Sequence, residues 1–353
     1  MKPDPGRIET DKKLEEIERK VKRVYTDAEN DLRKKMDEYF KSFESKDRRK
    51  LDQLQRGVIT QEEYRKWRFG QLAVGARWQE MLNSVSADLV NYKKIAKSVV
   101  NGYMPDVYCI NANYVNYDIE NRLRIETSFS LYSREAVEYI LRDEPELLAP
   151  PGSQMLDKIA TGRAIKWEKG QIQSAITRAI IEGESNPNLA TRIMKELCVS
   201  DRKSAIRYAR TATTFAENAG RDDSFHRLAG LGIKLKKQWI ATLDVRTREA
   251  HRELDGQSVP LDNPFENSLG KIMRPGDPTC RVGAQIWNCR CGMIADLEGF
   301  ENDASDLSLR NTSKMEGMSY EEWKQGKMKS QDIEMPDKIA KIMRARYARE
   351  YAK

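Results

Sequence analysis

The chain has 353 residues, with 62 Lys and Arg against 55 Asp and Glu, a formal net charge of +7. That length admits two or three domains, and no run of about 18 apolar residues occurs, which excludes a membrane-spanning helix. The five cysteines are irregularly spaced, which fits reduced thiols in a cytosol better than a disulfide framework, and the start Met-Lys-Pro-Asp-Pro-Gly lacks the apolar core of a signal peptide.

Leu14, Ile17, Val21, Val24, Ala28, Leu32, Met36, Tyr39 and Phe43 recur every three or four residues, with charges between. This spacing predicts a long amphipathic helix. After Gly57, Thr60-Gln-Glu-Glu63 has the form of a capping box, so a second helix should start near Gln61. Its stripe is Tyr64, Trp67, Val74, Trp78, Met81, Val85, Leu89, Tyr92 and Val99. Two facing stripes predict a helical hairpin over residues 1–100. This segment has 24 Lys and Arg against 18 Asp and Glu. Its basic side chains Arg48, Arg49, Lys50, Arg65, Lys66, Arg68, Lys93, Lys94 and Lys97 are expected on exposed faces, either merely solvated or in contact with double-stranded DNA.

Residues 101–152 change character. Pro105 breaks the helix, Asn and Tyr dominate to Tyr117, and alternation from Leu123 to Leu131 predicts a strand. Ser133 should cap a short helix to Arg142. Residues 153–232 read as a helical domain, with helices at Gly170–Ile181 and Asn188–Cys198 and a third capped by Asp201. The third carries a small-residue packing stripe, Ala205, Tyr208, Ala209, Ala212, Phe215, Ala216 and Ala219.

Residues 233–300 hold most of the candidate chemistry. A strand from Trp239 to Leu243 leads into Asp244, a candidate N-cap for a helix from Arg246 to Leu254. Asp255-Gly256 should stop that helix. The following loop has four prolines and is expected to be irregular. Cys289 and Cys291 are two apart, so on a strand their side chains share a face. With His251 and Cys280 they could form a Cys₃His zinc set. The other reading is a metal-free knot, with Asp244 and Asp255 paired to Arg246, Arg248 and Arg290 under Trp239 and Trp287. A polar tail, 301–353, follows. Ser319-Tyr-Glu-Glu-Trp323 reads as a docking turn and 336–351 as a helix. The whole is a mainly α (α+β) chain: a long N-terminal helical hairpin, a helical middle and a small β-containing C-terminal module.

No GxxxxGK[ST] phosphate cradle and no GxSxG nucleophile elbow is present. His226 sits in a helical run, which leaves His251 as the credible general base.

The order Trp239, Asp244, Arg246, Thr247, Arg248, His251, Leu254, Asp255, Gly256, then Pro-Gly-Asp-Pro at 275–278 and Asn288-Cys289-Arg290-Cys291, resembles the phage Mu F-like minor head protein family. Lys166-Trp167, Glu182-Gly-Glu-Ser185, Arg210-Thr211 and Asn218-Ala-Gly-Arg221 extend the resemblance upstream. Two departures are Ile286, where some relatives carry His, and Ala212, where the family motif usually has Glu. The resemblance implies a minor capsid protein inside the head near the portal, with the host cytoplasm as the site of assembly. It implies the portal, capsid or scaffolding proteins and DNA as partners, a structural role, and no catalysis. Two alternatives stay open: a basic DNA-binding protein, and a metal-dependent enzyme or toxin-type module using His251.

Overall fold

A computed structural model describes residues 5–72, 74–127, 129, 131–135, 137–138, 162–182, 186–277, 279–297 and 318–329. Among the described residues six longer helices come first: α1 (Pro5–Gln55), α2 (Gln61–Leu72), α3 (Ala76–Asn101), α4 (Met104–Leu123), α5 (Gly162–Glu182) and α6 (Asn186–Gly230). The C-terminal module then runs β1 (Leu235–Ile240), α7 (Glu249–Arg252), β2 (Ser258–Val259), β3 (Phe265–Asn267), β4 (Gly270–Ile272), α8 (Gly283–Ile286) and β5 (Gly292–Leu297). Helix α9 (Tyr320–Lys329) follows. The expected fold class, mainly α with a small β module, is what the chain adopts. The described residues fall into two compact units: one within Glu18–Val99 and Gln154–Ile206, the other within Met1–Ile17, Val100–Ser153 and Arg207–Lys353.

The first unit is helical. The stripe of α1 buries Ala28, Leu32, Met36, Tyr39 and Phe43 against Trp78, Met81, Val85 and Leu89 of α3, and Ile172, Ile176, Met194 and Cys198 join the same core. The capping box forms as expected. The Glu63 N–H donates to Thr60 Oγ1 at 3.2 Å, and the Thr60 N–H donates to the Glu63 carboxylate at 2.8 Å. The second arm is not one helix, however. It breaks between Leu72 and Ala76, where Gly75 takes φ +98°, a conformation that glycine adopts without a Cβ penalty. Val74 is 57% exposed there instead of lying in the stripe.

Two expected DNA-facing cations are held by carboxylates, Arg68 buried and Lys93 half-buried. Arg68 is 2% exposed, with Nε 3.5 Å from the Asp47 carboxylate. Lys93 is held by Glu168 and, at 3.0 Å, by Asp201. Burial raises both carboxyl pKa values, against the pull of the Lys93 ammonium. Asp201 therefore serves as an ion-pair partner and not as a helix cap, because α6 runs unbroken through it.

The second unit pairs helices with the β module. Residues 104–123, where the sequence points to a break at Pro105 and not to a helix, form α4 with Pro105 in the first turn, where a missing N–H costs nothing. Asparagine is a weak helix former, but here its amides are used across helices. Asn111 accepts from Arg221 Nε at 3.0 Å and donates to Thr10 at 2.7 Å, and Asn116 donates to Ser224 at 3.0 Å. Tertiary bonding overrides local propensity. Gly220 of α6 lies so close to α4 that an added Cβ would sit 2.4 Å from the Tyr108 carbonyl oxygen.

The strand expected at 123–131 is not seen in the described part of that segment. Helix α4 instead ends at Leu123, with Arg124 at φ +50°. Residues 134, 135, 137 and 138 are helical; the rest of the helix expected from Ser133 lies outside the described residues, as does that expected at 336–351. The docking turn is present: Ser319 and Glu322 cap α9 reciprocally, at 2.8 and 3.3 Å. Trp323 Nε1 donates to the buried Glu120 carboxylate at 2.6 Å.

In the module, β1 lies between β2 and β5, antiparallel to both, and β3 pairs with β4. Leu235 faces Leu297, Lys237 faces Ala295 and Trp239 faces Met293. These six positions are the buried face. The segment expected to be an irregular loop thus contains the β3–β4 hairpin.

Two substitutions test these cores. Trp78 is 1% exposed, and Trp78→Ala is expected to cost about 3–5 kcal/mol in denaturant unfolding. A change within about 0.5 kcal/mol, the range of surface substitutions, would refute that packing. Gly220→Ala is expected to cost about 1–3 kcal/mol, because the obstructing atom is backbone and both helices must shift.

Candidate functional site

The site is built where β1 leaves the sheet and β5 enters it. After Ile240 the chain turns through Asp244. Its carboxylate accepts the Arg246 N–H at 2.8 Å and the Thr247 hydroxyl at 3.2 Å, so it organises a turn. The expected helix from Arg246 shrinks to α7, whose N-cap position is Arg248, without a side-chain cap. Arg290 clamps Asp244 with two bonds, Nη1 to Oδ2 at 2.6 Å and Nη2 to Oδ1 at 2.7 Å. That bidentate geometry is the strongest form of carboxylate recognition by arginine. It holds the Asp244 carboxyl well below the usual carboxylate range, with help from the Arg246 N–H.

The remaining motif residues take other roles than the expected buried ion pairs. Arg246 is 3.6 Å from Asp244 but its side chain is 72% exposed. Arg248 donates to the Trp287 carbonyl. Asp255 accepts the Ala241 N–H at 2.8 Å, and Gly256, at φ +75°, returns an N–H to the Trp239 carbonyl at 2.9 Å. Trp239 is fully buried, while Trp287 is only half-buried.

Asn288 has φ +55°, a region in which asparagine is enriched among non-glycine residues. It turns the chain into Cys289-Arg290-Cys291, just ahead of β5. The backbone here is held by a ladder of side chains from one face of α6. Thr211 Oγ1 accepts the Asn288 N–H at 3.2 Å, and Thr214 donates to the Cys289 carbonyl at 2.6 Å. Asn218 donates to the Cys291 carbonyl at 3.3 Å and Arg221 to that of Met293 at 3.1 Å. The remaining Arg290 carbonyl accepts from Thr242 at 2.8 Å and from Arg7 at 3.1 Å, and Arg7 is anchored on Glu217 at 2.7 Å. Sequence reasoning missed this ladder. Its signal was the 3-4-3 spacing of Thr211, Thr214, Asn218 and Arg221, polar residues on a helical stripe.

Cys289 and Cys291 continue the inward alternation of β5, as their spacing predicted, and are 2% and 3% exposed. His251 on α7 meets them: Nδ1 lies 3.6 Å from the Cys289 sulfur and 3.4 Å from that of Cys291. The Cys291 N–H also points at the Cys289 sulfur, at 3.4 Å. Contact with Cys289 and with His251 lowers the Cys291 thiol pKa, whereas contact with Cys291 and burial push that of Cys289 up. Cys280 does not join them. It is half-buried and its thiol faces the Val282 carbonyl at 4.0 Å. The expected four-residue set is therefore, among the described residues, a three-residue set of His251, Cys289 and Cys291. His226 lies apart, bonded to the Asp222 carbonyl and to Asp262.

A turn clamped by arginine, a Cys-x-Cys segment bound to a helix and a buried imidazole define a module built for rigidity. Residues 170–294, which contain it, match the family described as phage Mu protein F like protein. The chain is 28% identical over 250 residues to the minor head protein GP7 of Bacillus phage SPP1, covering 70% of this chain and 76% of that one. It is 29% identical over 212 residues to an NAD(+)–arginine ADP-ribosyltransferase, EFV, of Enterococcus faecalis, covering 59% of this chain and 40% of that protein. A Haemophilus influenzae protein described only as uncharacterized is 28% identical over 230 residues, covering 64% of this chain and 45% of its own. The chain thus spans less than half the length of two of these three relatives. No solved structure matches it.

The two kinds of contact can be separated experimentally. Thr214→Val strands the Cys289 carbonyl and is expected to cost about 1–3 kcal/mol in unfolding free energy. The Asp244–Arg290 clamp should instead show itself through pH. The folded pKa of Asp244 is depressed, so its contribution is complete above the ordinary carboxylate range and is lost as the pH falls below it. The stability gap between wild type and Arg290→Gln is therefore expected at pH 7 and to shrink below pH 4. A pH-independent gap would mean the arginine acts by packing alone.

Proposed function

We propose that the chain is a minor head protein of a tailed bacteriophage, placed inside the head near the portal, acting in head assembly and in genome packaging or delivery. The observation that carries this reading is the match to the minor head protein of phage SPP1 across 70% of the chain, with the Mu F-like family match over 170–294. The site geometry supports a structural role. His251 is 2% exposed and turned to two sulfurs, not toward a surface where substrate could reach it. The name of the Enterococcus relative belongs to a protein of which this chain matches 40%.

DNA contact is the second part of the proposal. Arg48, Arg49, Arg65, Lys66 and Lys94 are exposed, and Lys50 and Lys97 are half-exposed. Arg68 drops out because it is buried beside Asp47, and Lys93 because it is held between two buried carboxylates, whereas Arg48 keeps an exposed pairing with Glu44 at 3.0 Å. The remaining cations suit phosphate backbones, without base selection.

Co-expression with the portal protein of the same genome is the direct test. The expected result is a complex that survives size exclusion, with incorporation of the wild-type chain into heads. Duplex DNA binding is expected to be weak, indifferent to sequence and steeply weakened by salt. Failure to associate with portal or with any head component, in a folded protein, would overturn the assembly reading. Binding that persists in half-molar salt would overturn the electrostatic one.

A further inference from the structure

The convergence of His251, Cys289 and Cys291 has a geometry of its own. In a tetrahedral zinc site, with Zn–S of about 2.3 Å and Zn–N of about 2.0–2.1 Å, a ligating nitrogen and sulfur stand about 3.5 Å apart. The two N···S separations here are 3.6 and 3.4 Å. All three donor atoms lie within 4.8 Å of one another. Hydrogen bonding alone explains this poorly. In either tautomer Nδ1 has a single lone pair or a single proton to offer, so it can make only one full hydrogen bond to the two sulfurs. The other ring nitrogen, Nε2, is buried and lacks a hydrogen-bond partner, a loss that ordinarily disfavours an orientation. The ring gives up a bond at Nε2 in order to aim Nδ1 between two sulfurs.

The surroundings suit a cation. The backbone N–H of Cys291 is directed at the Cys289 sulfur at 3.4 Å, which fixes where that sulfur sits. The carbonyls of Cys289, Arg290 and Cys291 are all held by side chains, so the two sulfurs are positioned before any ion arrives. Two thiolates and an imidazole form a soft donor set that selects zinc over magnesium or calcium. Carboxylates are absent from the group.

We propose that His251 Nδ1 and the sulfurs of Cys289 and Cys291 bind one zinc ion, with Cys280 outside the coordination sphere and the fourth position taken by water. The ion ties α7 to the entry of β5 and fastens the turn of Asp244 to the sheet. The claim is independent of the head-protein assignment, since it rests only on these three side chains.

The full-length chain, purified under reducing conditions, is the material for the test. Elemental analysis is expected to give one zinc per chain in wild type and in Cys280→Ser. Cys291→Ser, Cys289→Ser and His251→Ala should retain less than a tenth of that. Loss of fold in those variants is covered by a second measurement on wild type alone. After chelator treatment, cobalt(II) should restore one equivalent with a sulfur-to-cobalt charge-transfer absorption, and zinc should displace it and raise the Tm. Portal association is scored separately, so either proposal can fail alone. Folded wild type that gains neither the absorption nor any Tm shift in excess metal overturns the site. Loss of zinc in a folded Cys280→Ser protein overturns the three-ligand assignment.

Discussion

The C-terminal module depends on one contact: the polar face of α6 laid along the backbone from Asn288 to Met293. Four side chains at helical spacing, Thr211, Thr214, Asn218 and Arg221, bond groups of that backbone directly. A segment entering a sheet would otherwise leave those groups unpaired, and unpaired buried backbone is costly. The helix replaces the missing strand partner. Once the backbone is held, Cys289 and Cys291 face the core and Arg290 reaches outward to Asp244.

That division of labour explains the alternation within Asn288-Cys289-Arg290-Cys291. The positive φ of Asn288 makes the turn. The cysteines point inward to His251, and the arginine between them points to the opposite side, where its clamp on Asp244 is partly exposed. A surface ion pair contributes little by itself. A bidentate one that also fixes a turn does more, because the same carboxylate caps the Arg246 N–H and holds the Thr247 hydroxyl. Inner and outer contacts together leave the turn at Asp244 and the segment from Asn288 to Cys291 little freedom.

The helical unit solves a different problem. Its long helices bury charged groups among the apolar stripes, Glu168 and Asp201 around the half-buried Lys93, and Arg68 beside Asp47. Buried ion pairs are often no more stabilising than apolar residues would be, but breaking one leaves an uncompensated charge. They therefore restrict which helix faces can meet.

The sequence by itself determined what depends on local periodicity and short-range chemistry. The stripe of α1, the capping box at Thr60, the inward pairing of Cys289 with Cys291, the Ser319 turn and the family resemblance were all legible, because each is encoded within a few residues. Tertiary structure decided what depends on partners distant in the chain. It made a helix of the asparagine-rich stretch 104–123 by giving Asn111 and Asn116 partners on α6. It ran α6 unbroken through Asp201, since that carboxylate found Lys93 instead of a helix N-terminus. It split the second arm at Gly75, and it brought His251 to Cys289 and Cys291 while leaving Cys280 aside. Spacing along a chain says which face a side chain takes, but only packing says which other face it meets.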